Sequence, residues 1–303
     1  MTYVLQPDPP LPPWQTLPTM YDLPCEDPEE PGLPDEFHDW QPQLLSRTLR
    51  LNQYPSDQFF TGSDLNLYYD LSHLQWYKRP DWFLAVGVSR LYRGDLRRSY
   101  VIWQETHAPF VVVEFLSPGT ETEDLGPFAD SEPVTEESSE FTQEPELSIE
   151  ASANGQSGEA KPPSKWEVYE RILRVPYYIV FDRHSNQLRC FQLVGGHYQE
   201  QPIQPENPRL WIPELAIGLG LWQGEFAGID RLWLRWYDAQ NYWIATDTEQ
   251  ALEQAERERQ RANQAEARLL QVAQNLLQSG MAIAQVSHLT GLSESQIQQI
   301  PGV

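Results

Sequence analysis

A chain of 303 residues, 40% of them hydrophobic and with 11 Trp, is long enough for one domain of ordinary size with appendages and has the side chains for a real core. Its formal net charge of −23 and mean hydropathy of −0.56 argue at first sight against a nucleic-acid partner, because phosphate binding rests on Lys and Arg. Two cysteines, Cys25 and Cys190, exclude a disulfide framework and a four-ligand zinc site, and no apolar run approaches the roughly eighteen residues that a membrane-spanning helix needs.

The acidic charge is unevenly spread. Residues 1–40 hold nine acids and residues 121–160 hold twelve, with no Lys or Arg in either stretch, so the rest of the chain is close to neutral. Lys78, Arg79, Arg90, Arg93, Arg97, Arg98, Lys165, Arg171 and Arg174 could then form a local basic surface, although a charge run is more often a solvated face. The opening MTYVLQPDPPLPPWQ has neither a basic leader nor an apolar signal region, which predicts a soluble cytoplasmic protein with reduced thiols.

Residues 1–35 are Pro-rich and acidic, a composition that predicts an extended arm able to lie on the core through Trp14 and Tyr21. From Glu36 to Leu51 the apolar spacing of QPQLLSRTLRL predicts a helix, with Pro42 tolerated near its start. Strand-like runs follow: QFFTGSDLNLYYD, DWFLAVGV, SYVIWQE, FVVVEFLS, YYIVFD and LRCFQLV. Between the fourth and fifth, KWEVYERILRV reads as a helix with Trp166, Tyr169, Ile172 and Leu173 on one face. A strand, a helix and a strand in that order imply a crossover, so FVVVEFLS and YYIVFD should be parallel or near neighbours in a mixed sheet. The fold class is α/β or α+β, with a domain over residues 36–245.

Residues 121–164 interrupt this order with an acidic, Ser- and Pro-rich stretch that predicts a disordered insertion. After Gly196 a second group of strands is rich in Trp, read as packing rather than base stacking. Residues 246–279 predict one long helix; over 247–278, Ala251, Ala255, Ala262, Ala265, Leu269, Val272 and Leu276 keep a spacing near that of a coiled coil, a weak seam that could join two copies of the chain. Residues 280–303 predict a helix-turn-helix-like hairpin, with its turn at Thr290 and Gly291 and its second helix capped by Ser293. That second helix is Gln-rich and lacks Lys and Arg, so packing or oligomerisation fits it better than DNA contact.

Asp81 opens the strand DWFLAVGV and Glu114 lies inside FVVVEFLS. An ionised carboxylate in an apolar sheet is costly unless it is paired or binds a metal, and acids projected from neighbouring strands into one cleft suit Mg²⁺ or Mn²⁺. Lys165, at the start of the next helix, supplies an ammonium that can orient a water or offset charge on a phosphate. Asp81 and Glu114 are therefore the candidate metal ligands, and Asp81, Glu114 and Lys165 the candidate catalytic set. The six histidines lack ligand spacing and read as surface residues.

The ordered blocks PDWFLAVGV, VVVEFLSPGTETEDL and KWEVYERILRVPYYIVFD, with Pro80, Asp81, Glu114, Ser117, Pro118, Asp124, Lys165, Tyr169, Val175, Tyr178 and Asp182, resemble the PD-(D/E)XK nuclease superfamily, and within it the Uma-type family of restriction endonucleases. The resemblance covers roughly residues 36–195 and implies a restriction-endonuclease-like core, a central mixed sheet flanked by helices, acting as an Mg²⁺-dependent endonuclease on DNA. It departs from the superfamily pattern at Leu116, which stands where a lysine is expected two residues after the second acid; members similar to this chain take the lysine from the following helix, which implies Lys165. A first-helix acid in many relatives implies Glu36 as a further carboxylate, and Asp64 is another. Two competing readings are a nuclease-fold scaffold without turnover, oligomerising through its C-terminal helix, and a regulatory DNA-binding factor acting through residues 280–300.

Overall fold

The computed structural model describes residues 35–134 and 161–300 and divides the chain at Ile244 into two compact units. The Pro-rich arm up to residue 34, with Cys25, lies outside the described residues. Unit one opens with α1 (Glu36–Thr48), followed by β1 (Phe59–Gly62), β2 (Leu67–Tyr68), β3 (Tyr77–Lys78), β4 (Trp82–Val86), β5 (Tyr100–Val101), α2 (Ile102–Glu105) and β6 (Val111–Phe115). It continues through α3 (Glu121–Leu125), α4 (Lys165–Glu167), β7 (Tyr177–Asp182), β8 (Gln187–Val194), β9 (His197–Gln201), β10 (Arg209–Ile212), β11 (Ile217–Phe226) and β12 (Ile229–Tyr237).

The organising element is a six-stranded mixed sheet in the order β1-β4-β6-β7-β8-β9. β6 and β7 are parallel, with Glu114 opposite Val180, as the strand-helix-strand order requires; the other neighbours are antiparallel. Alternation along the strands builds two cores. Trp82, Leu84, Val111, Val113 and Phe115 face a layer made of α1 and the separate sheet β10-β11-β12. Phe83, Ala85, Val112, Tyr178 and Val180 face the α3–α4 region and the small sheet β3-β2-β5. Burial on both faces explains why β4, β6 and β7 read as nearly continuous apolar runs. The Trp-rich strands belong to the first core, where Trp233 and Trp236 are fully buried.

Helix α1 is tied down by polar contacts as well as by Leu44 and Leu45. The buried Gln41 amide donates to Leu234 O at 2.9 Å and accepts from Leu234 N at 2.8 Å, standing in for a neighbouring strand's backbone. Asp35 caps the helix, accepting from His38 N at 3.1 Å and pairing with the Arg183 side chain. Burial alone would raise its pKa, but His38 and Arg183 hold it down to about 2. Because the folded value lies below the ordinary 3.8, the contribution is complete above about pH 4 and disappears as pH falls towards 2. Asp35→Ala should therefore cost about 1–2 kcal/mol in urea unfolding at pH 7. At pH 2 the two proteins should be nearly equal, and an unchanged gap there would refute the assignment.

Three expectations change against the structure. The run SYVIWQE keeps only two strand residues, Tyr100 and Val101, before turning into α2, whose Trp103 is 41% exposed. In KWEVYERILRV the helix passes at Val168–Ile172 into a π-turn, with Leu173 N bonding Val168 O at 2.8 Å, and the wider winding turns Ile172 out to solvent. The segment assigned to a disordered insertion from residue 121 begins instead as structure: α3 and a 3-10 turn occupy Glu121–Phe128, anchored by buried Asp124 and Leu125. Residues 135–160 of it lie outside the described residues.

Unit two consists of α5 (Asp247–Gln278), α6 (Ile283–Thr290) and α7 (Glu294–Gln298). Helix α5 begins with a capping box between Thr246 and Glu249 and spans the predicted residues. Ala273 near its end packs with Val286, Leu292, Ile297 and Ile300 in a small core, whereas Leu252, Leu269 and Val272 are exposed. Gly291 at φ +76° ends α6 and Ser293 caps α7 in a capping box, as the sequence predicted. Among the described residues no helix is long and apolar enough to cross a membrane.

Candidate active site

Asp81, Glu114 and Lys165 converge where β4 begins and β6 ends. The Phe115 amide donates to Asp81 Oδ2 at 2.6 Å, and the Asp81 amide donates to Glu114 Oε2 at 3.2 Å, so the antiparallel strands lock the two acids together. Val113 and Phe115 face one core, which turns Glu114 to the other, where its side chain is fully buried. There Tyr169 OH donates to Glu114 Oε1 at 2.7 Å, a contact set up by the π-turn, and Lys165 Nζ donates to Oε2 at 3.1 Å.

Lys165 stands at the first helical position of α4, where the helix dipole disfavours a cation. Three carboxylates outweigh that. Its Nζ lies 2.9 Å from Asp124 Oδ1 as well as beside Glu114, and its amide donates to Glu123 Oε1 at 2.9 Å, an atom that also takes Lys78 Nζ at 2.6 Å. Burial alone would lower the Lys165 pKa, but Asp124, Glu114 and Asp81 together carry it well above its usual value. Burial raises Asp81 above the ordinary carboxylate range and Glu114 well above it, with Lys165 opposing the shift in both. Three carboxylates against one ammonium leave the ionised pocket with a surplus of negative charge.

Helix α3, the part of the acidic stretch that is ordered, brings Asp124 here. Its approach to α4 depends on Gly126, at φ +52°, where a Cβ would lie 2.6 Å from the Trp166 ring. Tyr178 OH, donating to Asp124 O at 2.8 Å, fixes the end of α3 from the sheet side.

The donors suit a hard divalent cation. They are carboxylate oxygens, and Asp124 Oδ1 is buried without an aligned hydrogen-bond donor despite its proximity to Lys165. Among the described residues no three His, Cys, Asp or Glu side chains enclose a metal by themselves. Mg²⁺ commonly needs only one or two protein carboxylates, completed by water and substrate phosphate, and the pair Asp81 and Glu114 would fit such an ion.

The two further acids go elsewhere. Glu36 accepts from Trp40 Nε1 on its own helix at 3.3 Å, and Asp64 pairs with Arg79 at 2.5 Å while 69% exposed. Both satisfy local partners. The sequence reading also missed two participants. Asp124 appeared only as a motif residue, not as a partner of Lys165. His38, taken for a surface residue, is only 13% exposed, packs edge-on to Phe115 and, when protonated, favours ionised Asp81. Its three-residue spacing from Asp35 at a helix start was the available signal.

A family described as "Putative restriction endonuclease" (Uma2) matches residues 13–127 and 128–229, more than half of the chain. The chain belongs to the Uma2 family. The mixed sheet with flanking helices is consistent with the restriction-endonuclease-like fold. Residues 266–301, covering the end of α5 with α6 and α7, are similar to the C-terminal helix-turn-helix domain of the Rpn/YhgA-like nuclease family. No curated protein matches the chain. For this Uma2 member the helix-turn-helix similarity begins within the long helix, earlier than residue 280 where the sequence pattern placed it.

Proposed function

We propose that this Uma2 protein is a metal-dependent endonuclease that hydrolyses DNA phosphodiester bonds. The observation that supports the reading is the convergence of Asp81, Glu114 and Lys165 in one buried cluster, with the Asp81 backbone amide 3.2 Å and the Lys165 ammonium 3.1 Å from Glu114 Oε2. Asp81 and Glu114 would hold Mg²⁺ or Mn²⁺, which when bound supplies positive charge to the attacked phosphate and acidifies a coordinated water. Tyr169 fixes one oxygen of Glu114, leaving Oε2 to face the pocket beside Lys165. Asp124 steadies the Lys165 ammonium, which orients the attacking water and offsets charge on the phosphoryl oxygens. DNA as substrate is supported by the similarity of residues 266–301 to a helix-turn-helix domain of another nuclease family. Association of two copies along the exposed side of α5 is part of the same proposal, since Leu252, Leu269 and Val272 are left uncovered.

The test is incubation of supercoiled plasmid and single-stranded DNA with the full-length protein in Mg²⁺, Mn²⁺ or a chelator, beside Asp81→Asn. We expect nicked or linear products only with the metal and the native Asp81. Intact DNA under every condition, with the protein folded, sinks the proposal.

A further inference from the structure

The nine cations that the sequence grouped as one basic surface have different fates. Lys78 pairs with Glu123, Arg79 with Asp64, Arg171 with Glu170, and Lys165 belongs to the pocket. Arg97 is consumed structurally: 2% exposed, it makes two hydrogen bonds of 3.0 and 2.8 Å to Glu105. It also donates to the carbonyls of Ser89 and Arg90 at 2.8 and 2.9 Å, lies over the Phe60 ring, and thereby pins both ends of the loop that joins β4 to β5.

That loop has a defined shape. Tyr92 and Asp95 exchange two backbone hydrogen bonds of 3.0 Å around Arg93 (φ +50°) and Gly94 (φ +88°), the backbone of a tight primed turn. The exposed Arg93 guanidinium lies over the Tyr92 ring, 5.5 Å from its centroid. Arg90 and Arg93 line a groove of about 780 Å³, and both they and neighbouring Arg98 are exposed, without an acidic partner among the described residues. Asp57 lines the groove as well, and the Asp95 side chain accepts from Leu96 N. A small positive surplus on a pinned loop is conspicuous in a chain of net charge −23.

Its position relates it to the pocket. Asp81 lies at the start of β4 and the loop leaves the other end, six residues on, a span of about 20 Å at strand rise. Arg97 covers Phe60, which shares a core with Phe83 and Tyr169, so the loop and the Glu114–Lys165 cluster lie on the same side of the sheet. Along a DNA strand about 20 Å corresponds to roughly six nucleotides.

We propose that the loop of Arg90, Arg93 and Arg98 is a second DNA contact, a clamp on the phosphate backbone about half a helical turn from the bond cut at Asp81 and Glu114. It takes its register from the nuclease reading but concerns binding, not chemistry. Arginine suits it, because its planar fork meets phosphate oxygens through paired hydrogen bonds.

The experiment measures binding of the full-length protein, in chelator, to a fluorescent 24-base-pair duplex across a salt series, for the wild type and the triple variant Arg90→Ala/Arg93→Ala/Arg98→Ala. Removing one arginine–phosphate pair should flatten the log–log salt slope by about 0.9, so the triple variant should show a slope smaller by about two to three and an affinity roughly 100-fold weaker at about 0.15 M salt. Because the three side chains are exposed, the triple variant should melt like the wild type, which separates binding from folding. Equal affinity and slope for the triple variant, or no binding by the wild type, overturns the clamp even if plasmid is cut. Binding that depends on the arginines upholds it even if no DNA is ever cut.

Discussion

Replacing Lys165 by Met should destabilise unit one by about 3–5 kcal/mol at pH 7, because it removes the ammonium that pairs with buried Glu114 and Asp124. The loss exceeds that of an ordinary ion pair. Only 21% of the Lys165 side chain is exposed, and its partners are 0% and 1% exposed, so water cannot take over the role of the ammonium. The damage should shrink as pH falls, as it does at Asp35, but in a higher pH range. Burial already raises Asp81 and Glu114 above their ordinary values of 3.8 and 4.5, and Lys165 opposes that shift. Without it the folded state takes up protons that the unfolded chain does not, so the variant gains stability relative to the wild type as pH falls from 7 towards 5. Urea unfolding at pH 7 and pH 5 measures both effects. A variant within about 1 kcal/mol of the wild type at pH 7 would show that Lys165 is a solvated helix-start residue.

How much of this was legible in the sequence follows the range of the interactions involved. The β4, β6 and β7 runs and the parallel pairing of β6 with β7 could be read because apolar continuity and a helical crossover are local or nearly local signals. Glu114 stood out because a lone acid in an apolar strand has few inert explanations. The π-turn was not legible: the same residues fit an ordinary helix, and only the demand that Tyr169 reach Glu114 while Trp166 packs on Tyr178 selects the wider winding. Nor was the role of α3. Its composition is that of a disordered segment, and it becomes a helix only because Asp124 and Glu123 find Lys165 and Lys78, which lie far away in sequence. Composition averages over a window, whereas two ion pairs can order five residues. The fates of Arg97 and Arg93 differ for a similar reason, since burial beside Glu105 cannot be read from an arginine-rich loop.

If the chain is the metal-dependent nuclease proposed above, Glu114→Gln should lower its cleavage about 100-fold or more and yet leave the fold about as stable as the wild type. The amide can satisfy the same neighbours: its oxygen accepts from Asp81 N and Lys165 Nζ, as Glu114 Oε2 does, and its NH₂ donates to the Tyr169 hydroxyl oxygen that now serves Oε1. The Tyr169 O–H then loses its carboxylate acceptor, a cost set against the relief of burying one charge fewer. The substitution also removes one negative charge from a pocket in which acids outnumber cations, the same imbalance that raises the Glu114 pKa. An acid retained at a thermodynamic disadvantage, where its isostere would fit, is what a site chosen for chemistry rather than stability requires. Thermal melting without added metal, paired with the plasmid assay, checks both halves. A melting temperature several degrees below that of the wild type would mean that Glu114 holds the core together through its charge, and lost cleavage in that variant would then report unfolding rather than a missing ligand.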